Sequence, residues 1–402
     1  MKRNFISMLT GVITSICIGG TPVMAQQLDV EWVTPFSGSG RFIVTTETTL
    51  DPEGNVFAVG TFKDSMEVNT VNGSVKLVAG TSEDMFVSKM NPSGAIEWIK
   101  QVGGKDVLGN NSGSSSDQFV NHYFSIVSDN RGDLYITGNY KDTVDFDPGS
   151  GTVTRSTGSY LGGAFPGQTP PTLFYENGFI LKLSNDGEFR WVRTLHGKSN
   201  SISGIAMDQN KGTFAVTGYF QDTVDFNNRL GTDVLGATPP GRNVFVARYD
   251  TAGQFKWVRK MGGGNSFGTR NEGNGISINN QGYIFTTGVF RDSADFDPGP
   301  GVHLLRSAVR PAENVFVSKL DSNGNHVWAR AMGGVQGASG ARGSAIATDN
   351  SGNVLTTGYF QGTGSFDPTT NTTIPSNSNL SLFISKLDSA GNYVWAKALN
   401  RS

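Results

Sequence analysis

Two clusters of carboxylates are the residues best placed for chemistry. Asp142, Asp145 and Asp147 fall within six residues just before Pro-Gly, and Asp292, Asp295 and Asp297 repeat the arrangement. Carboxylate oxygens at such spacing are ligands for calcium, and in an extended strand Asp145 and Asp147 project to the same side while a following turn adds backbone carbonyls. The competing reading is that these aspartates cap turns or pair with lysines. The pattern thins to Glu67 and Asn69 early in the chain and to Gly362, Ser365 and Asp367 late in it. Calcium is therefore the single cofactor these residues suggest, beside the plainer expectation of none.

A second set is aromatic. Tyr160, Phe165, Phe174 and Tyr175 lie among glycines and prolines in a long stretch from Gly149 to Asn177. Such side chains stack on sugar rings or dock a peptide. They serve equally in an ordered flap that only covers a channel mouth. Catalytic patterns come up short. Gly264-Asn-Ser266-Phe-Gly268 has the spacing of a nucleophile elbow, but that motif needs a strand before it and a helix after it, and here it lies in a glycine-rich linker. His122, His196, His303 and His326 share no metal-ligand spacing, so no catalytic residue is assigned.

The elements that must position these residues are written in the tryptophans. Trp32, Trp98, Trp191, Trp257, Trp328 and Trp395 occupy one slot of a repeated phrase, at intervals of 66, 93, 66, 71 and 67 residues. A large apolar plug recurring at one repeat position marks an array of similar units. Five units are complete, the second carries extra sequence, and Val30-Glu-Trp32-Val stands alone as a sixth tryptophan segment. Each unit resolves into four short strands. Segments such as Ile276-Ser-Ile278 form the first, nearly continuous apolar runs such as Val56 to Gly60 the second, Phe-Val-Ser-Lys-Leu and its variants the third, and the tryptophan segment the fourth. Between third and fourth stands Asp, Asn or Ser followed three residues later by glycine, the chemistry of a tight hairpin. The apolar second strand calls for cover on both faces.

Two series of cations follow the same period. Lys100, Arg193, Arg259, Arg330 and Lys397 stand two places after the tryptophan, where a charge on an outermost strand deters edge-to-edge pairing. Lys89, Lys182, Arg248, Lys319 and Lys386 lie within the third strand and are expected to pair with Asp64, Asp142, Asp222 and Asp292 of the second.

Four-stranded antiparallel units cannot bury both faces alone, whereas radial packing covers each with its neighbours. The expected fold is all-β, a β-propeller of four-stranded blades: five full repeats plus an N-terminal strand closing the ring against the last unit, or six blades with one incomplete. The phrase Gly-x-[Phe/Tyr]-x-Asp-[Thr/Ser]-x-Asp-Phe-Asp-Pro-Gly, followed by Phe-Val-Ser-Lys-Leu-Asp-x-x-Gly-x-x-x-Trp-Ala-[Lys/Arg], resembles the bacterial β-propeller repeat family called SBBP. That resemblance covers essentially everything after residue 29 and implies a propeller on an exported bacterial protein. It brings no catalytic residues, and the five units here depart from the seven the name implies.

Composition agrees with a folded array: 53 glycines supply turns, while 37% hydrophobic residues and 26 phenylalanines supply a core. Residues 1–25 read as a signal peptide. Lys2 and Arg3 precede an apolar run from Ile6 to about Gly20, and Val23 and Ala25 provide small residues for cleavage. The run is too short to span a membrane, and Ile16 stands where a lipoprotein signal at Cys17 needs a small residue. Residues 27–402 form a single domain. Removal of the leader leaves 30 basic against 34 acidic residues and no cysteine, which excludes disulfides, thiol chemistry and a basic footprint for nucleic acid. The expected product is a secreted, periplasmic or surface monomer without a transmembrane segment. Its expected task is non-catalytic binding of a glycan, peptide or protein on one loop-rich face. A polysaccharide hydrolase or lyase, or a purely structural surface protein, are the alternatives.

Overall fold

The computed structural model describes residues 32–38, 43–106, 124–161, 172–227, 233–236, 241–263, 270–307, 312–334, 340–349, 351–367, 373–376 and 380–399. The expected leader, the 264–268 segment and Phe165 lie outside them. All regular structure among the described residues is β, and none of it is a helix long and apolar enough to cross a membrane.

Five antiparallel four-stranded meanders follow one another. Unit one consists of Ile43–Leu50, Val56–Thr70, Gly73–Met90 and Ile96–Asp106; unit two of Ser125–Ser128, Leu134–Asp145, Asn177–Leu183 and Phe189–Thr194. Unit three is His196–Asp208, Thr213–Asp225, Asn243–Asp250 and Phe255–Met261; unit four Glu272–Ile278, Ile284–Arg291, Glu313–Leu320 and His326–Gly334; unit five Ala341–Thr348, Val354–Phe360, Ser381–Leu387 and Tyr393–Leu399. Strand order within each unit is sequential, as the tight turns require. In the turn Asp321 to Gly324 the carboxylate accepts the amides of Asn323 and Asn325 at 2.8 and 2.9 Å, and Gly324 takes φ +80°. That is the hairpin chemistry legible in the sequence.

Both faces of the second and third strands are covered in units one to four. Ile284, Phe285, Val289, Phe290, Val315, Phe316 and Val317 are all at 0% exposure, because alternate side chains enter the cores shared with the units on either side. The phenylalanine of the Asp-Phe-Asp phrase is part of this core. Phe146, Phe226, Phe296 and Phe366 each meet the last aromatic of their own second strand edge-on, at 5.4, 6.0, 5.9 and 5.2 Å from Tyr140, Phe220, Phe290 and Phe360.

Neighbouring units are joined at the tryptophan. Trp98 lies against Gly187 of the next unit's last turn, Trp191 against Gly253, Trp257 against Gly324 and Trp328 against Gly391. The cation two places on clasps the same turn. Arg259 donates to Gly324 and Asn323 carbonyls at 3.2 and 2.8 Å, and Arg330 to Gly391 and Ala390 at 3.0 and 3.3 Å. These arginines were expected to guard an edge; they hold units together. The first strands of successive units pack side by side from unit one to unit five. Among the described residues no sheet closes on itself, and the first strands of units five and one are not closely packed.

Two expectations are corrected here. Trp32 was to close the ring against the last unit; it lies against Gly94 of unit one, donates to Pro92 O at 3.0 Å, and Thr34 Oγ1 donates to Gly94 O at 2.6 Å. It thus plays for unit one the part that each internal tryptophan plays for its successor. The third-strand cations were to meet second-strand aspartates. Instead Lys182 pairs with Asp133 at 2.9 Å, Lys386 with Asp349 at 3.2 Å and Arg248 with Asp208, while Lys89 meets Glu97 at 3.0 Å and Lys319 donates to Ser389 O at 2.9 Å. Register explains it. Lys182 stands opposite Tyr135, seven residues or about 23 Å of strand from Asp142, so the turn between first and second strands is what it reaches.

Candidate functional site

A cleft of about 340 Å³ opens between units two and three. Lys141 comes from the end of unit two's second strand, and Tyr160, Phe174, Tyr175 and Glu176 from the long connection that follows it. Lys198 and Ser199 lie near the start of the first strand of unit three, and Gln221 and Asp222 in the latter part of its second. The connection is held by a short ladder, Ser159–Leu161 against Thr172–Phe174, which sets Tyr160 and Tyr175 ring on ring at 5.0 Å and 25°. Tyr160 remains 45% exposed. Of the four aromatics singled out by sequence, three line this cleft. The fourth, Phe165, is outside the described residues.

The far wall is polar. Lys198 and Asp222 form an ion pair at 2.8 Å, and the Lys198 hydrogen bond holds the Asp222 carboxyl below the usual range. Asp222 takes φ +66°, as Asp142 and Asp292 do at the same repeat position with +57° and +65°, because the chain turns left-handed just past the last aromatic of the second strand. Unit five has Gly362 there at +70°. Glu176, by contrast, is carried inward; burial raises its carboxyl, partly opposed by Lys141 and Arg242.

Behind Glu176 runs a chain of charges that the sequence reading missed. Arg242 lies over the Tyr219 ring at 4.1 Å and pairs with Glu272, which is 5% exposed and also accepts from Arg270 at 2.8 Å. Arg270 reaches Glu313 at 3.4 Å, and Arg342 reaches the other Glu313 oxygen at 2.8 Å. Burial works against the Glu272 carboxylate, yet Arg270 and Arg242 together keep it below its ordinary range. A signal existed in the repeats. Glu176, Arg242 and Glu313 all stand one place before the third-strand Asn, alternating in sign along the array. Glu272 and Arg342, opposite in sign, open the first strands of units four and five at matching positions.

Two aspartates of each trio accept backbone amides. Asp145 Oδ1 accepts the amides of Asp147 and Val153 at 3.1 and 2.8 Å, and Asp147 Oδ1 accepts Gly149 N at 2.8 Å. Asp295 and Asp297 do the same for Asp297, His303 and Gly299 at 3.0, 2.8 and 2.8 Å. Among the described residues no three acidic, histidine or cysteine side chains gather as metal ligands. Asp145 and Asp295 also pair through their backbones with Gly103 and Gly262 of the preceding units. Of the histidines, His303 and His326 meet ring to ring at 4.6 Å, a pairing their sequence positions did not suggest.

No protein-family model matches the chain. It is similar to an uncharacterized WD repeat-containing protein of Acanthamoeba polyphaga mimivirus, 24% identical over 413 residues that cover 88% of this chain and 28% of the relative. The chain therefore spans little more than a quarter of that protein's length. A protein of unknown function from Bacteroides caccae overlaps 55% of this chain and 90% of its own at 11% identity with a TM-score of 0.20, too low to carry an argument. The repeat character is common ground with the viral relative. The period is not that of a WD repeat, since units here recur at 66 residues or more against about 40–45.

Proposed function

We propose that this chain is an exported repeat scaffold of the β-propeller kind, akin to the SBBP repeats, that binds a glycan in the cleft between units two and three. The sequential four-stranded units, with first strands side by side, support the architecture; the leader pattern of residues 1–25 supports export. One observation carries the binding reading. The stacked Tyr160–Tyr175 pair stands across from an ion-paired Lys198 and Asp222, with Ser199 and Gln221 beside them. Ring faces take the C–H face of a sugar, and convergent charged and amide groups take its hydroxyls. Glycan-array binding followed by calorimetry tests it. Tyr160→Ala and Asp222→Asn are expected to weaken a selected glycan at least tenfold with little change in melting temperature. Binding that survives both changes rules the cleft out.

A second reading, a polysaccharide hydrolase, draws on two carboxyls of one cleft shifted in opposite directions, Glu176 upward by burial and Asp222 downward by Lys198. Opposed environments are how acid and base roles are divided. Product release from the bound glycan, abolished by Glu176→Gln while affinity is kept, would favour this reading over simple binding.

A further inference from the structure

We propose that the glycan taken by the cleft between units two and three is acidic, and that Lys141 receives the carboxylate of one uronate residue while Tyr160 carries its ring. This assignment rests on the glycan-binding reading of the same cleft and adds the charge of the ligand.

The walls are fastened to one another before any ligand arrives. Glu176 bridges Ser199 of unit three in parallel, and Asn200 N donates to Glu176 O at 3.1 Å, so the long connection of unit two is tied to the first strand of unit three at the cleft. Tyr175 N donates to Gly158 O at 2.8 Å, and a Cβ on Gly158 would lie 3.0 Å from the Tyr175 ring. Glycine at 158 therefore gives that ring its seat. Tyr175 is the more buried of the stacked pair, which leaves the free face of Tyr160, 45% exposed, for a sugar. A ring face held in place costs the ligand little ordering.

Charge decides what that sugar carries. The charged side chains of the cleft are Lys141, Lys198, Glu176 and Asp222. Lys198 is committed to Asp222 at 2.8 Å, and this pair, with Ser199 and Gln221, is left to meet hydroxyls. Lys141 is committed to no carboxylate: among the described residues it forms no ion pair. The remaining carboxyl, Glu176, is shifted by burial toward its neutral form. Arg242 behind it is already paired with Glu272. Lys141 is thus a half-buried ammonium without a counter-charge of its own, and a carboxylate satisfies it with a stronger hydrogen bond than a neutral hydroxyl does. Net charge narrows the class further. The chain is formally −2 and has no long-range attraction for a densely sulfated polyanion, whereas one uncommitted lysine matches one charge on one sugar.

The test is an array of neutral, uronate-containing and sulfated oligosaccharides probed with the intact chain, followed by calorimetry on the best-retained glycan and its carboxyl-reduced form. The retained glycans are expected to contain uronate. Carboxyl reduction is expected to weaken binding about tenfold or more, the loss of one charge-assisted hydrogen bond. Lys141→Met is expected to weaken the acidic glycan by a similar factor and to leave the reduced one unchanged, while Lys141→Arg keeps most of the affinity. Melting temperatures close to that of the intact chain separate lost binding from lost fold. Should Lys141→Met misfold, carboxyl reduction and Lys141→Arg still decide the ligand's charge. A neutral glycan retained best, or an acidic one that loses nothing on reduction or on Lys141→Met, overturns the acidic assignment and leaves glycan binding in place. A sulfated glycan bound more tightly than any uronate also overturns it. Retention of no glycan, or retention that survives both Tyr160→Ala and Asp222→Asn, brings down the cleft reading itself and this assignment with it.

Discussion

The indole nitrogen of Trp328 donates to the carbonyl of Ser389, one unit further along the chain, at 3.2 Å. Trp98 makes the equivalent bond to Asn185, also at 3.2 Å. Each tryptophan therefore stabilises a junction and not only its own unit, and its loss should be felt according to whether a junction exists. Trp328→Ala is expected to cost about 3–5 kcal/mol, the range for large buried aromatics. Trp395→Ala, which among the described residues lies against no following turn, is expected to cost less than half as much. Urea unfolding of the two variants decides it, and equal losses would show that the tryptophan acts within its own sheet.

The positions of the tryptophans, the hairpin turns and the four strands of each unit were legible because a repeat shows each of them five times over. What a repeat conceals is which unit a side chain touches. Arg330 reads as an exposed edge charge until its bonds to Gly391 and Ala390 are seen, and Lys182 reads as a partner of Asp142 until register places it beside Asp133. Trp32 was recognised as a sixth copy but assigned to the wrong end of the array. The cleft aromatics were found by their departure from the repeat, whereas Lys198 and Gln221 across from them belong to another unit and carry no local mark, and Asp222 was read only as one of the repeat's second-strand aspartates. Charges such as Glu272 and Arg342 escaped because their repeat positions match while their signs do not.

Asp142 occupies left-handed backbone at φ +57° in the position that unit five gives to Gly362. Glycine enters that region without penalty, whereas a β-branched residue is strained there by about 1–2 kcal/mol. Asp142→Gly is thus expected to be nearly neutral and Asp142→Val to lower stability by about that amount. Thermal unfolding of both distinguishes backbone conformation from carboxylate chemistry, because a side-chain role would make the two variants equally harmful.

Calcium makes a separate test of the aspartates. Asp145 Oδ1 and Asp295 Oδ1 each accept two backbone amides, and an ion would have to compete for those lone pairs. Chelation with EGTA is expected to leave the melting temperature unchanged. A ligand that binds the folded chain alone raises stability with its concentration, so a rise of several degrees on adding millimolar calcium would show that the trios do hold the ion.

Acid should find the His303–His326 pair. His326 takes the slot that Ile96, Phe189, Phe255 and Tyr393 fill in the other units, and burial there, followed by the charge of His303, lowers its pKa. A histidine of lowered pKa refuses in the folded state a proton that it accepts when unfolded near its ordinary value of about 6.5. The stability tied to its neutral form is therefore complete above that pH and is lost as pH falls through it toward the folded pKa. The urea midpoint is expected to decline between pH 7 and pH 5.5, above the range in which most carboxylates titrate. His326→Phe restores the residue type of units two and three, so it is expected to flatten that decline while leaving the neutral-pH midpoint equal or higher. A variant whose midpoint falls as steeply as the wild type would remove His326 from the account and leave the acid response to groups elsewhere in the array.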